Sequence, residues 1–277
     1  MAQELQEKQR WPKVSCLMVT ADRPHLVRRA IRSYLQQTYP NRELVVLDNG
    51  RHPLDEALLA EVPADELVYA RVEPRPDLVI GTLRNQALEL ARGDYIAPQW
   101  DDDDWSHPER LMRQMQVLLS GDYDACTLAG TLMHVNHPAY FFHPFIGLLR
   151  HGVPPTIVHR RNATIRYPDL RRTSDTHYVE AWRRTGRYVI LPPSESYLYL
   201  RYFHGGNLWE QEHFLRRMRN TPRDFLAYLW YRYVRGNEFA HPRFRLTPAM
   251  QEAFERYLQD SIETGVFDPE RLQALHH

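Results

Sequence analysis

Four short apolar runs, each followed by a stretch of helical spacing, fill roughly the first 120 residues. "KVSCLMVT" (13–20), "ELVVLDNG" (43–50), "ELVYARV" (66–72) and "DYIAPQW" (94–100) read as buried strands. After the first, Pro24 suits a first helical turn, and Leu26, Val27, Ala30, Ile31, Tyr34 and Leu35 form one face. "LDEALLAEV" reads as a short helix. "GTLRNQALELARG" reads as a helix with Leu83, Ala87, Leu88 and Ala91 on one side and Gly93 as its C-cap. "SHPERLMRQMQVLLSG" follows, with Ser106 and Glu109 at capping-box spacing and Pro108 in the first turn.

Such alternation predicts βαβ units: a mostly parallel sheet with helices on both faces. Ligands of such sheets bind outside the carboxyl ends of the strands. "TADRP", "LDNG" and "QWDDDD" therefore belong to one rim. After Gly121 the alternation stops. "DACTLAGTLMHVN", "AYFFHPF", "PTIVHRR" and "YVILPPSESYLYLRYF" read as mixed strands and loops, with a short helix, "SDTHYVEAWRRTG", capped by Ser174. From "NLWEQEHFLRRMRN" through "PRDFLAYLWYRYVRG" and "PAMQEAFERYLQDSIETG" to "DPERLQALHH" the chain reads as helical.

Lys+Arg and Asp+Glu are 35 each, so no global field argues for nucleic acid or for an anionic membrane. Only Lys8 and Lys13 are lysine; the other basic residues are arginine, which grips phosphate in a bidentate way. Cys16 and Cys126 make no disulfide framework, and Cys16 reads as a small core residue. "MAQELQEKQRW" has no apolar h-region, and no window approaches a membrane span, so the expected location is cytoplasmic. "AYFFHPFIGLL" and "FLAYLWYRYV" are aromatic-rich. They suit core packing, a partner interface or peripheral contact at the inner membrane face.

Asp101 to Asp104 stand in a row between Trp100 and Trp105. Hard cations such as Mg²⁺ and Mn²⁺ take one or two carboxylates plus substrate phosphates. Calcium of the EF-hand type is excluded, because Ser106 and Met112 stand where Gly and Glu are required. Helix capping accounts for one aspartate, not four. The run predicts a metal–phosphate site.

"VSCLMVTADRPHLVRRAIRSYLQQTYPNRELVVLDNG" and "RNQALELARGDYIAPQWDDDDWSHPERL" resemble the family 2 inverting glycosyltransferases, closely over 13–111. "TSDTHYV" and "YLRYFHGGN" resemble later family motifs more loosely. The resemblance implies the GT-A fold, with 1–12 a tail, 13–205 the catalytic domain and 206–277 a helical extension. The catalytic domain then divides into a nucleotide-binding half, 13–120, and an acceptor half, 121–205.

It also implies transfer of a sugar, UDP-linked as the leading expectation, to a hydroxyl of a glycan or lipid-linked acceptor in polysaccharide biosynthesis. The family's DxD motif corresponds to Asp101 and Asp103. Asp103 would be the metal ligand, and Asp101 would contact ribose or donor sugar, with a one-residue register slip left open. Asp102 and Asp104 stay ambiguous, with Asp102 counted among the nucleotide-sugar contacts and Asp101 also a possible metal ligand. Asp175 matches the catalytic base, with Asp169 and Glu180 as alternatives. Val19, Thr20, Asp22, Asp48 and Asn49 would line the nucleotide. Asn49 replaces an aspartate that often reads the base. Arg84 would meet the diphosphate or be a solvated helix arginine. His204 would be a further metal ligand or diphosphate contact, with Arg201 a similar candidate. The rival classes are a sugar-phosphate nucleotidyltransferase, disfavoured because "VTADRP" has no glycine, and a non-catalytic binding module.

Overall fold

The computed structural model describes residues 10–207 and 211–270. The first nine residues, 208–210 and 271–277 lie outside that range. They include most of the expected tail, the start of the "NLWEQ" helix and most of "DPERLQALHH". The chain divides into two compact units. Unit 1 is 1–127 with 154–190, and unit 2 is 128–153 with 191–277.

Unit 1 holds the predicted alternation. In order come β1 (Val14–Thr20), α1 (Pro24–Leu35), β2 (Arg42–Asp48), α2 (Glu56–Leu59), β3 (Leu67–Arg71), α3 (Ile80–Leu90), β4 (Tyr95–Ala97), the two-residue β5 (Trp105–Ser106), α4 (Arg110–Ser120) and β6 (Ala125–Leu128). After β7 (Gly130–Val135) and β8 (Phe145–Leu148) of unit 2, the chain returns with β9 (Val158–Arg160), α5 (Ser174–Arg183) and β10 (Tyr188–Leu191). The sheet order is β10-β6-β9-β4-β1-β2-β3. β1 pairs in parallel with β2 and β4, and β2 with β3, while β9 runs antiparallel between β4 and β6.

The middle stretches of β1 and β2 are apolar and buried, as suits strands covered by helices. Leu17, Val45, Leu47 and Ile96 pack with Leu83, Ala87 and Ala91 of the α3 segment. On α1, Leu26, Val27, Ala30, Ile31 and Tyr34 are buried as the helical spacing predicts. Cys16 is a buried core thiol, pushed up to about 12 by burial. A second cluster joins Ala125 and Ile157 to Tyr167, Tyr178, Val179 and Trp182.

Three predicted caps differ. Ser106 lies in β5 and bonds Arg110, and α4 begins at Arg110 with no side-chain cap, so the capping box is not formed. α3 ends at Leu90 with Ala91 extended. Gly93 instead permits a close strand approach, since a Cβ there would lie 2.7 Å from the Lys13 carbonyl and the Ser15 nitrogen. α5 has Thr173 at its N-cap in the left-handed region (φ 63°), with Ser174 buried as its first residue.

In unit 2, β11 (Tyr199–Phe203) lies parallel to β7, and β8 antiparallel to it. Helices α6 (Gln211–Arg216), α7 (Pro222–Leu229) and α8 (Pro248–Glu263) follow. Its core gathers Met133, Phe145, Phe203, Phe214, Met218 and Tyr228. Among the described residues no helix is long and apolar enough to cross a membrane.

Candidate functional site

Parallel register sets the carboxyl ends of β1, β2 and β3 level: Thr20 pairs with Asp48, and Asp48 with Arg71. Beyond β4 the chain stays at this rim, where the Trp100 N–H donates to the Leu17 carbonyl at 2.8 Å. The aspartates follow directly.

The four carboxylates alternate in environment. Asp102 and Asp104 are buried. Asp101 and Asp103 are partly open, with side chains 25% and 18% exposed. Asp102 accepts the Thr20 hydroxyl proton at 2.6 Å and lies 2.7 Å from the Arg23 guanidinium. Burial pushes its carboxyl up to about 7; Arg23 and the Thr20 bond oppose this, and the charges of Asp103 and Asp101 add to it. Asp103 sits 3.4 Å from Arg23, and its carbonyl accepts from Arg29 at 2.6 Å. The repulsion expected of four adjacent charges is thus relieved by Arg23, which reaches two of the carboxylates, and by turning alternate side chains inward.

Asp101 lies 3.4 Å from Arg84 on α3. Arg84 is not a solvated helix arginine: its guanidinium is nearly enclosed and lies 5.4 Å from the centre of the Tyr167 ring. With the Gln99 amide turned so that both ends are satisfied, its oxygen accepts from Arg84 at 2.8 Å and its nitrogen faces the Pro154 carbonyl at 3.3 Å. Burial works against the Arg84 charge, but Asp101, Tyr167 and Asp175 outweigh it and hold the pKa above its ordinary value. Unit 1 therefore brings Asp101, Arg84, Tyr167 and Asp175 into one electrostatic neighbourhood. Asp175 stands in the first turn of α5, where its carboxylate accepts the Thr176 N–H at 2.8 Å. Asp169 instead accepts from Thr82 at 2.8 Å, and Glu180 is held by Arg183 at 2.8 Å and Arg184 at 3.4 Å.

The other rim residues knit loops. Asp48 is buried and accepts from the Gly50 N–H (2.8 Å), the Leu54 N–H (3.1 Å) and the Tyr69 hydroxyl (2.9 Å). Asp22, in the left-handed region (φ 52°), accepts from the Arg51 N–H at 2.9 Å. The Asn49 amide donates to the Val72 carbonyl at 2.9 Å, while Val19 is half-buried beside Thr20. His204 belongs to unit 2, where its N–H donates to Asn207 at 2.8 Å and its Nδ1 accepts from Gly206 at 3.3 Å. Arg201 lies over the Phe214 ring at 5.1 Å. Sequence reasoning passed over Arg23, Arg29, Gln99 and Tyr167. The available signal was the aspartate run itself, which requires cations nearby.

Among the described residues, no group of three or more His, Cys, Asp or Glu gathers as a metal centre. A hard divalent cation that completes its shell with phosphate and water needs only one or two protein carboxylates. Asp101 and Asp103, the two partly exposed members of the run, fit that requirement.

The mostly parallel, helix-flanked sheet with an acidic segment at its rim has the GT-A type of fold. Residues 15–149 match the family model "Glycosyl transferase family 2". The Escherichia coli (strain K12) protein WcaA, named for a glycosyl transferase role in colanic acid biosynthesis, is 36% identical over 107 residues, covering 36% of this chain and 36% of that protein. The chain thus spans about a third of the length of this curated relative. The fold is shared with S. aureus TarS 1-349 in complex with UDP-GlcNAc (TM-score 0.56, 20% identity, 95% of this chain and 83% of that one). It is shared as well with the mannosyltransferase PcManGT of Pyrobaculum calidifontis in complex with GDP-Man and Mn²⁺ (TM-score 0.52, 15% identity, 95% and 80%). Over residues 15–149, just under half of the chain, the sequence is thus similar to the glycosyl transferase family 2.

Proposed function

We propose that the protein is a metal-dependent inverting glycosyltransferase that takes a sugar from a nucleoside-diphosphate donor, UDP-linked, and passes it to a hydroxyl of a glycan or lipid-linked acceptor. The observation that carries this reading is the pair Asp101 and Asp103, partly open at a parallel-sheet rim while Asp102 and Asp104 are buried. A bound Mg²⁺ or Mn²⁺ would neutralise charge building on the departing diphosphate. Asp103 would hold it, with Asp101 beside it or on the donor's ribose.

Arg84 and Arg23 each lie 3.4 Å from one of these carboxylates and are the cations that would meet the donor's phosphate oxygens. Asp175 would accept the proton of the attacking hydroxyl. Val19, Thr20, Asp22, Asp48 and Asn49 would frame the nucleoside, mostly through the loops they fix.

The test is release of nucleoside diphosphate from a panel of nucleotide sugars, with and without Mn²⁺, by the protein and by its Asp175→Asn variant. Metal-dependent release that the variant loses supports the reading. Pyrophosphate formation from a sugar phosphate and a nucleoside triphosphate would replace it with a nucleotidyltransferase. Donor binding with no turnover would leave a binding module.

A further inference from the structure

Among the described residues eight large apolar side chains are exposed, and five of them fall within ten residues: Phe225, Leu226, Trp230, Tyr233 and Val234, at 46% to 71% exposure. They lie on α7 and the π-helical turn that continues it, Trp230–Val234. Tyr228, between them in sequence, points the other way into the unit 2 core. The segment is therefore amphipathic, and it is the apolar side that faces out. Scattered surface hydrophobes are ordinary, whereas a contiguous run of this kind marks a contact surface.

Charge decides between contacts. The chain as a whole is balanced, yet from Arg216 to Arg245 it carries eight arginines against two acidic residues. Both acids are answered internally: Asp224 by Arg243 at 2.6 Å, and Glu238 by Arg232 at 3.1 Å. Arg223 and Arg235 bracket the apolar run and are exposed, with no ion pair among the described residues. Beside the run, a cavity of about 250 Å³ is lined by Tyr140, Glu212, Arg219, Tyr228, Arg232 and Tyr233. Arg219 and Arg232 lie 4.7 Å and 5.6 Å from the centre of the Tyr228 ring.

We propose that this face docks on an anionic lipid bilayer. Phe225, Leu226, Trp230, Tyr233 and Val234 enter the boundary between headgroups and acyl chains, and Arg223 and Arg235 meet lipid phosphates. An amphipathic helix with aromatic residues on one side and arginine beside them matches both phases of that boundary. A second copy of the chain would bring the same positive charge to the contact and be repelled. The inference is independent of the donor site in unit 1.

Co-sedimentation of the full chain with phosphatidylcholine vesicles, with and without phosphatidylglycerol, tests it. Binding is expected only with the anionic lipid and should weaken as salt rises. Leu226→Ser with Trp230→Ser, and separately Arg223→Glu with Arg235→Glu, should each lower partitioning by about tenfold or more. All these side chains are exposed, so the variants should retain the wild-type melting temperature. Absence of vesicle binding, equal binding by the variants, or a dimer in solution that Trp230→Ser converts to monomer would each overturn the proposal.

Discussion

The Thr20 hydroxyl donates to the buried Asp102 carboxylate at 2.6 Å, joining the end of β1 to the middle of the aspartate run across 82 residues of sequence. The bond ties Asp102 into the protein's own framework, while Asp101 and Asp103 are the partly exposed members of the run. Thr20→Val removes the donor and strands a buried acceptor, which should cost about 1–3 kcal/mol of stability. Thr20→Ser should recover most of it. Urea unfolding midpoints of the three proteins check this, and equal midpoints would contradict the assignment.

Gly50 is required by contact. A Cβ there would lie 2.9 Å from the Asp48 carboxylate and 3.0 Å from both the nitrogen and the carboxylate of Asp22. Gly50→Ala should force the two loops apart, at roughly 1–3 kcal/mol. Nucleotide binding should weaken as well, because these loops frame the proposed nucleoside position. A variant with unchanged melting temperature and unchanged affinity would argue against that role.

Two buried groups pull stability in opposite directions with pH. The His159 Nδ1–H donates to the Arg160 carbonyl and, in the neutral ring, Nε2 accepts from the Tyr178 hydroxyl, each at 2.8 Å. Burial lowers its pKa to about 4, with the bond to Arg160 opposing. The unfolded chain therefore binds the extra proton first, and His159's contribution is present above its unfolded value, near 6.5, and lost as pH falls toward 4. Asp102 behaves oppositely: its pKa is raised from 3.8 to about 7, so its contribution is present below 3.8 and lost as pH rises toward 7. Asp102→Asn removes the second term. Its stability should fall more steeply than wild type between pH 7 and 5, by up to about 3 kcal/mol in all. Parallel pH profiles would contradict the account.

Arg84 makes a different prediction, because it stands between Asp101 and Asp175 rather than under the fold. Arg84→Gln should lower donor turnover by about tenfold to a hundredfold. The Mn²⁺ concentration for half-maximal rate should not rise, since Asp101 loses a competing cation. A rise in that concentration at unchanged maximal rate would show that Arg84 merely orients Asp101.

The strand–helix alternation of unit 1 was legible because each element repeats its own period: continuous apolar runs for β1 and β2, and the spacing of Leu26, Ala30 and Ile31 for α1. The rim followed from topology alone. The division of the four aspartates was not legible. It depends on Arg23 and Thr20, about 80 residues away, and no local pattern encodes burial of Asp102 but not of Asp103. The insertion of β9 between β4 and β6 was hidden for the same reason, since three residues, Val158–Arg160, carry too little periodicity to announce a strand order. Neither predicted cap forms: Arg110, four residues on, takes the Ser106 side chain, and Ser174 is buried within the first turn of α5.

Asp101 and Asp103 are proposed to join a divalent cation to a nucleoside diphosphate. Calorimetric titration of UDP, with and without Mn²⁺, into the wild type and Asp101→Asn/Asp103→Asn proteins measures that joint binding. Binding by the wild type should depend on the metal and should weaken about tenfold or more in the double variant. Equal affinity without metal, or an unchanged affinity in the variant, would contradict it.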